Sequence, residues 1–121
     1  MKKLASCLVL VAVASVVTAC SSSSSDSGGG TANEITVTSN KFVPNALSIK
    51  VGDTVTWKWA GGTHNVVSGP NCASDGAYTS GAPMSTNGAT FTHVYDKAGT
   101  FEFFCNPHCS SSGMKGVITV Q

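Results

Sequence analysis

The stretch TFEFFCNPHCSSSGMKGVITV, residues 100–120, places a short loop between two runs that are rich in aromatic or β-branched residues. The first run ends at Cys105 and the second begins at Gly116. Runs of this composition predict β-strands, and Pro107 and Gly113 between them predict turns. The intervening loop contains two cysteines, a histidine and a methionine, so nitrogen- and sulfur-bearing side chains are concentrated in a few residues.

Similar strand-like runs occur throughout residues 34–120. Val55, Trp57 and Trp59 alternate with polar residues, which predicts a strand with one face on a core and one in water. Within residues 34–121, no window of helical length has apolar residues at helical spacing. Residues 69–89, rich in Gly, Ser, Pro and Asn, predict a long loop that carries function or wraps a sheet edge. The chain is therefore predicted to be a small all-β sandwich or barrel. Strands are predicted near residues 34–39, 47–51, 53–59, 64–68, 90–95, 100–105 and 116–120.

The N-terminal segment has the pattern of a bacterial lipoprotein signal peptide. Lys2 and Lys3 precede a short apolar run, and the sequence VTAC ends at Cys20. The alternatives are an ordinary cleaved signal and a membrane helix, but the apolar run is shorter than the roughly 20 residues of a membrane span. We predict a signal peptide at 1–19, then lipidated Cys20 with a Ser/Gly-rich tether at 20–33, and one folded domain at 34–121. The product would be exported and lipid-anchored to a bacterial membrane, on the periplasmic or cell-surface side.

The charge of the predicted mature chain is close to zero, because removing Lys2 and Lys3 leaves five lysines against six acidic residues. This balance gives no indication of a nucleic-acid partner, and we expect a monomer. Export also implies an oxidising compartment, so cysteines beyond the signal should be paired, lipidated or bound to metal.

His64, Cys105, His108 and Met114 together form a set of soft and nitrogen ligands. Taken singly, each residue has an ordinary structural explanation, such as a surface histidine or a methionine that fills a gap. Together they match the ligands of a trigonal copper site with a weak axial sulfur better than those of zinc. Calcium and magnesium are excluded by the ligand types. The sequence therefore predicts one copper ion as cofactor.

These residues resemble those of plastocyanin-like cupredoxins, the blue copper proteins, and most closely the halocyanin branch. The resemblance lies in His64-Asn-Val-Val, in Cys105-x-Pro-His and in the Gly113-Met-x-Gly-Val-Ile-Thr-Val run, and it covers nearly all of residues 34–121. It implies a Greek-key β-sandwich and a type 1 copper centre. It also implies a one-electron carrier, not an enzyme, that serves membrane-associated or periplasmic redox partners.

By this resemblance His64, Cys105 and His108 are equatorial ligands and Met114 is the axial ligand. The loop from Cys105 to Met114 is one residue longer than is usual in the family. If Met114 does not bind, the copper would be three-coordinate or would take the carbonyl of Thr63. Asn65 would tie the His64 segment to the cysteine loop and so support the ligands.

Two further cysteines need partners in an oxidising compartment. A free thiol at Cys109, beside a ligand histidine, could compete for copper or be oxidised, so we predict a Cys72–Cys109 disulfide. The alternative is that one of the two is a copper-binding or redox-active thiol. His93 lacks a ligand-type neighbour in sequence and is predicted to be a packing or rim residue.

Two other functions use some of the same features. A multicopper oxidase or nitrite reductase needs further histidines, and this chain has three in all. A copper-binding lipoprotein for copper storage or delivery could use the same residues, and it stays open as the alternative to the electron carrier.

Overall fold

The computed structural model describes residues 33–121, which form two four-stranded β-sheets and one short helix. The predicted signal peptide and nearly all of the predicted tether, including Cys20, lie outside the described residues. One sheet has the strand order β2-β1-β4-β6 and the other β3-β8-β7-β5. The predicted all-β sandwich is confirmed. The elements are β1 (Glu34–Thr38), β2 (Lys41–Val43), β3 (Ala46–Ile49), β4 (Thr54–Trp59), β5 (Val67–Ser68), β6 (Thr90–Val94), β7 (Gly99–Phe104), α1 (Cys109–Ser112) and β8 (Lys115–Val120).

Both sheets are mixed. β1 runs parallel to β4 and β3 runs parallel to β8, whereas the other pairs are antiparallel. β7 and β8 form the longest antiparallel ladder, from Gly99 opposite Val120 to Phe104 opposite Lys115. The loop that joins these two strands is therefore held at the end of a long ladder, and it contains Cys105, His108 and Met114.

Aromatic side chains fill the space between the sheets. Trp57 and Trp59 point inward from β4 and are almost fully buried, as their alternation with polar residues predicts. The ring of Phe103 on β7 packs edge-to-face against Trp57 at 5.3 Å and against Phe42 on β2 at 4.8 Å. Such edge-to-face pairs are favourable beyond the area they bury, and here they join one sheet to the other.

Gly116 allows this packing, because a Cβ at that position would overlap both the Phe103 ring and the carbonyl oxygen of Asn45. Gly116 lies directly opposite Phe103 in the β7–β8 ladder. The glycine therefore leaves room for the Phe103 ring over its own backbone, a recognised use of glycine within strands.

The segment 64–68 differs from the prediction of a continuous strand. Only Val67–Ser68 belongs to a strand, and His64 instead forms an isolated antiparallel bridge with Met84. The long loop runs beside this segment: the Ser80 N–H donates to the Val66 carbonyl at 2.8 Å, and the Ser68 N–H donates to the Tyr78 carbonyl at 3.0 Å. Residues 69–89 thus wrap the edge of the second sheet, as one of the two sequence interpretations expected.

Two short elements were not predicted, the strand β2 and the helix α1. β2 has three residues and α1 has four, so neither is long enough to show a periodic pattern. No helix within residues 33–121 has the length and apolar character needed to cross a bilayer.

Candidate metal centre

Three of the predicted ligands converge at one end of the sandwich. His64 lies after β4, Cys105 follows the last residue of β7, and His108 directly precedes α1. Their donor atoms all lie within 4.8 Å of one another. His64 and Cys105 are buried and His108 is half-buried. The structure therefore brings together two imidazoles and a thiol that are up to 44 positions apart in the chain.

The spacing of these donor atoms is close to that of a trigonal metal site, with the two nitrogens nearer each other than the ideal geometry gives. His64 Nδ1 lies 3.1 Å from His108 Nδ1, and Cys105 Sγ lies 3.6 and 3.5 Å from the two nitrogens. For metal–nitrogen bonds of about 2.0 Å and metal–sulfur bonds of about 2.3 Å, a trigonal arrangement separates the donors by about 3.5–3.8 Å. The three residues present therefore fit a metal ion, and their mixture of one thiolate and two imidazoles suits copper.

Burial has opposite consequences for metal binding at the imidazole and at the thiol of this site. Burial lowers the pKa of His64, and the nearby His108 lowers it further, while the Gly61 carbonyl offsets part of the shift. A lowered pKa keeps this imidazole neutral, which is the form that binds metals. Burial raises the pKa of the Cys105 thiol, although the backbone N–H groups of Asn65 and His108 partly oppose the shift by hydrogen bonding to the sulfur. Those two N–H groups would remain as partners for a metal-bound thiolate.

The backbone of His64 is fixed from two directions. Its N–H donates to the Met84 carbonyl at 3.0 Å, and its own carbonyl accepts from the Met84 N–H at 2.9 Å and from Trp59 Nε1 at 3.1 Å. A Cβ on Gly62 would overlap His64 Nε2, so the chain at Gly62 passes directly over the imidazole ring. The hydrogen bonds fix the backbone of His64, and the close passage of the chain at Gly62 limits the movement of its ring.

The roles of Trp59 and Met84 in holding His64 were not predicted from the sequence. The alternation in β4 indicated that Trp59 is buried, but no local pattern indicated its hydrogen bond to His64. Met84 lies in an irregular loop, and its pairing with His64 is a long-range contact without a local signal.

Met114 is buried in the main core cluster, which also contains Cys105. Its backbone closes the loop: the Cys105 N–H donates to the Met114 carbonyl at 3.0 Å, and the Met114 N–H donates to the His108 carbonyl at 3.3 Å. Within this loop α1 ends at Ser112, and Gly113 caps it in a left-handed conformation with φ of 66°. The methionine is therefore tied through its backbone to two of the three converging residues.

Asn65 connects the cysteine loop to the long loop. Its Oδ1 accepts from the Asn106 N–H at 2.8 Å, and its Nδ2 donates to the Gly81 carbonyl at 3.0 Å. Asn65 itself is buried. These are the contacts that a residue supporting the ligand geometry would make.

The structure contains the Cys72–Cys109 disulfide, with the two Cα atoms 5.7 Å apart. Cys109 is buried in a small cluster with Val67 and Phe104, and Cys72 packs against that cluster. The bridge links the long loop to α1, directly after His108. Cys105 is the free cysteine within residues 33–121.

His93 lies away from the three converging donors, in an aromatic cluster at the sandwich edge. Its ring packs at 4.2 Å from the Tyr78 ring and at 4.9 Å from the Tyr95 ring. The two tyrosine hydroxyls are hydrogen-bonded to each other at 2.7 Å. Burial raises the pKa of Tyr95 to about 12 and lowers the pKa of His93, with Asp96 opposing the latter shift. These contacts are those of a packing residue.

A β-sandwich with one thiol and two imidazoles converging at the end of its longest ladder defines a cupredoxin-type copper protein. Residues 29–121 match the family of copper-binding proteins described as the plastocyanin/azurin family. The chain is 40% identical over 85 residues to plastocyanin from Scenedesmus fuscus, a match that covers 66% of this chain and 86% of that protein. It is 40% identical over 82 residues to halocyanin from Natronomonas pharaonis, covering 66% of this chain and 48% of the relative.

Among solved structures, the purple cupredoxin from Nitrosopumilus maritimus superposes with a TM-score of 0.62. It is 28% identical, and the match covers 73% of this chain and 98% of that one. The chain belongs to the plastocyanin/azurin family of copper-binding proteins.

Proposed function

We propose that this protein is a one-electron carrier with a single type 1 copper centre, with His64, Cys105 and His108 as equatorial ligands and Met114 as the axial ligand. The observation that carries the proposal is the convergence of three donor atoms, with separations of 3.1–3.6 Å, in a largely buried cluster. Bound copper would supply reversible one-electron chemistry between its two oxidation states. The protein's own contribution is to hold the donors so that their positions change little between those states.

The surrounding residues support this role in two ways. Trp59, Met84 and Asn65 fix the backbone around the ligands, and rigid ligands keep the geometry constant during electron transfer. Burial of His64 and Cys105 excludes water from most of the site. His108 is the half-exposed ligand, so its imidazole edge is the proposed point at which electrons enter and leave.

The proposed docking surface surrounds His108 and is uncharged. Pro107, Ala82 and Pro83 are all exposed. A small apolar contact of this kind suits the short-lived complexes of redox partners, whose interfaces are at the small end of the range. We further propose that the carrier is exported and anchored through a lipid on Cys20, so that its donor and acceptor are membrane-associated or periplasmic proteins.

The first test is the visible spectrum of the purified protein after addition of Cu(II), with Cys105→Ser as the variant. We expect an intense charge-transfer band in the wild type that a reductant bleaches, and no such band in Cys105→Ser, because the band requires a thiolate–copper bond. Met114→Leu should keep the band but change its energy if the thioether is the axial ligand.

His93→Gln is the matched control, because it removes an imidazole that lies in the aromatic cluster and should leave the spectrum unchanged. A wild-type protein that binds copper without colour would contradict the electron carrier. It would favour the alternative, a lipoprotein for copper storage or delivery.

A further inference from the structure

The segment that carries His108 has few connections to the rest of the protein. Within residues 33–121, and apart from the contacts among the three donor atoms, the hydrogen bonds of residues 106–113 end inside the loop or on Cys105 and Met114, with one exception. The exception is the Asn106 N–H, which donates to Asn65. Residue His108 caps α1 without a side-chain hydrogen bond. The loop therefore depends on other connections to keep the His108 imidazole in place.

The disulfide is the second connection, and it lies next to His108 in sequence. Cys109 is only 4% exposed, and its sulfur joins the loop to Cys72, at a sequence separation of 37. The Cys109 N–H also donates to the Cys105 carbonyl at 2.8 Å. Cys109 thus directly follows the proposed ligand His108, is hydrogen-bonded to the proposed ligand Cys105, and is covalently fixed to the long loop.

Residue Cys72 lies in a well-anchored part of the long loop. The Gly69 N–H donates to the Glu102 carbonyl on β7, and the Asp75 N–H donates to the Ser68 carbonyl on β5, both at 3.0 Å. The Ser68 hydroxyl also donates to the Asp75 carboxylate. Because residues on both sides of Cys72 are bonded to strands of the second sheet, the disulfide fixes α1 to the sandwich itself.

We propose that the Cys72–Cys109 disulfide positions His108 and thereby controls how firmly the site retains copper. His64 has three hydrogen bonds to its backbone from Met84 and Trp59, whereas the half-exposed His108 depends on the disulfide and Asn65. Without the bridge, α1 and His108 move away from Cys105 more often, and each such opening exposes the metal to solvent and competing ligands. The inference rests on the proposed copper site and assigns a positioning role to two residues outside the ligand set.

The test compares the Cys72→Ala/Cys109→Ala double variant with the wild type and with Ile49→Ala. Removing both cysteines leaves no free thiol that could bind copper. Ile49 is buried on β3 and pairs with Val120, away from the three donors. Its truncation leaves a cavity at a buried position and the double variant loses a cross-link, so the two variants are expected to be destabilised to a similar extent.

Copper loss is measured on the ascorbate-reduced protein as the appearance of the coloured Cu(I)–chelator complex after an excess of a bidentate Cu(I) chelator is added. We expect loss to be at least about tenfold faster in the double variant than in Ile49→Ala, since residues that support a ligand typically change metal affinity by this much. In the copper-free proteins, amide hydrogen exchange in residues 106–113 should be faster in the double variant than in the wild type or in Ile49→Ala. The reduction potential should also shift in the double variant and stay unchanged in Ile49→Ala.

Equal rates of copper loss and equal exchange in residues 106–113 for the two variants would overturn the positioning role, because global stability alone would then explain the effect. Failure of the proposed function gives a different result, since the wild type itself would then show no thiolate–copper band. The two ideas are thus tested separately in the same series of proteins.

Discussion

Asn65 uses both ends of its side-chain amide to join two loops. Its oxygen accepts from the ligand loop at Asn106, and its nitrogen donates to the long loop at Gly81. Because Asn65 directly follows His64, a displacement of either loop acts on a proposed ligand. Its proposed role is to support the site, and the loss of its two hydrogen bonds should have a measurable effect on the free energy of unfolding.

Asn65→Ala should lower the free energy of unfolding by about 1–3 kcal/mol, because both hydrogen bonds are lost at a buried position. The measurement is urea unfolding of the copper-free protein. Asn106→Ala is the matched control: it removes an exposed side chain but keeps the backbone N–H that bonds to Asn65. It should change the unfolding free energy by less than about 0.5 kcal/mol. Equal losses in the two variants would contradict the role given to Asn65.

At the level of single residues, the chemistry of the donors made the candidate site predictable. His64, Cys105 and His108 were identified because a thiol and two imidazoles are an unusual combination in a small β-rich chain with three histidines. The hydrogen bonds from Trp59 and Met84 were not predictable, since they join residues through the fold and leave no periodic or compositional pattern.

At the level of elements, prediction succeeded where a strand is long and alternates. β4 shows this best, because Val55, Trp57 and Trp59 are buried and the intervening residues are not. The segment 64–66 was predicted as part of a strand because residues 64–68 follow the Gly61-Gly62 turn and contain two valines, yet it pairs with an irregular loop and not with a regular strand. Composition alone cannot distinguish these two partners, since either one satisfies the backbone hydrogen bonds.

Gly113 and Gly116, on either side of Met114, are needed for different structural reasons. Alanine substitutions distinguish these reasons. Gly116→Ala forces a Cβ against the Phe103 ring and the Asn45 backbone carbonyl, so it should lower the unfolding free energy by about 3 kcal/mol or more, at the upper end of overpacking costs. Gly113→Ala meets no atom within 4 Å but places alanine at φ of 66°, at a cost of about 1–2 kcal/mol.

The comparison is made by thermal and urea unfolding of both variants, with Gly88→Ala as the reference. Gly88 also has a positive φ, of 83°, with open space around it, so it should behave like Gly113. If Gly116→Ala were no more destabilising than Gly88→Ala, the close packing between β8 and Phe103 would not be a significant constraint on the sandwich.

For the whole molecule, the sheet order was the least predictable property from residue patterns. The parallel pairs β1–β4 and β3–β8 join strands that are distant in sequence, and strand composition does not specify such pairings. The likeness to plastocyanin-like cupredoxins supplied the Greek-key expectation instead. The topology matters for the site, because it brings the segment after β4 next to the end of β7.

The distribution of charge over the whole chain leads to the last prediction. No Asp, Glu, Lys or Arg occurs in residues 59–74, 76–95 or 103–114, the segments that build the site and the proposed docking surface. Charged residues steer association over distances set by salt screening, so a surface without them gives little dependence on ionic strength. Electron transfer to a small anionic oxidant and to a cationic one should each change by less than about twofold between 10 and 200 mM salt.

Ser111→Lys tests this directly, since Ser111 is exposed on α1 near His108 and outside the proposed ligands. The added positive charge should speed reaction with the anionic oxidant, slow reaction with the cationic one, and make both rates depend on salt, while the visible spectrum stays the same. The rates are measured by stopped flow as the return of the visible copper band when the reduced protein is oxidised. A strong salt dependence already present in the wild type would mean that charges remote from His108 guide the partners, and that docking does not occur on the uncharged surface proposed here.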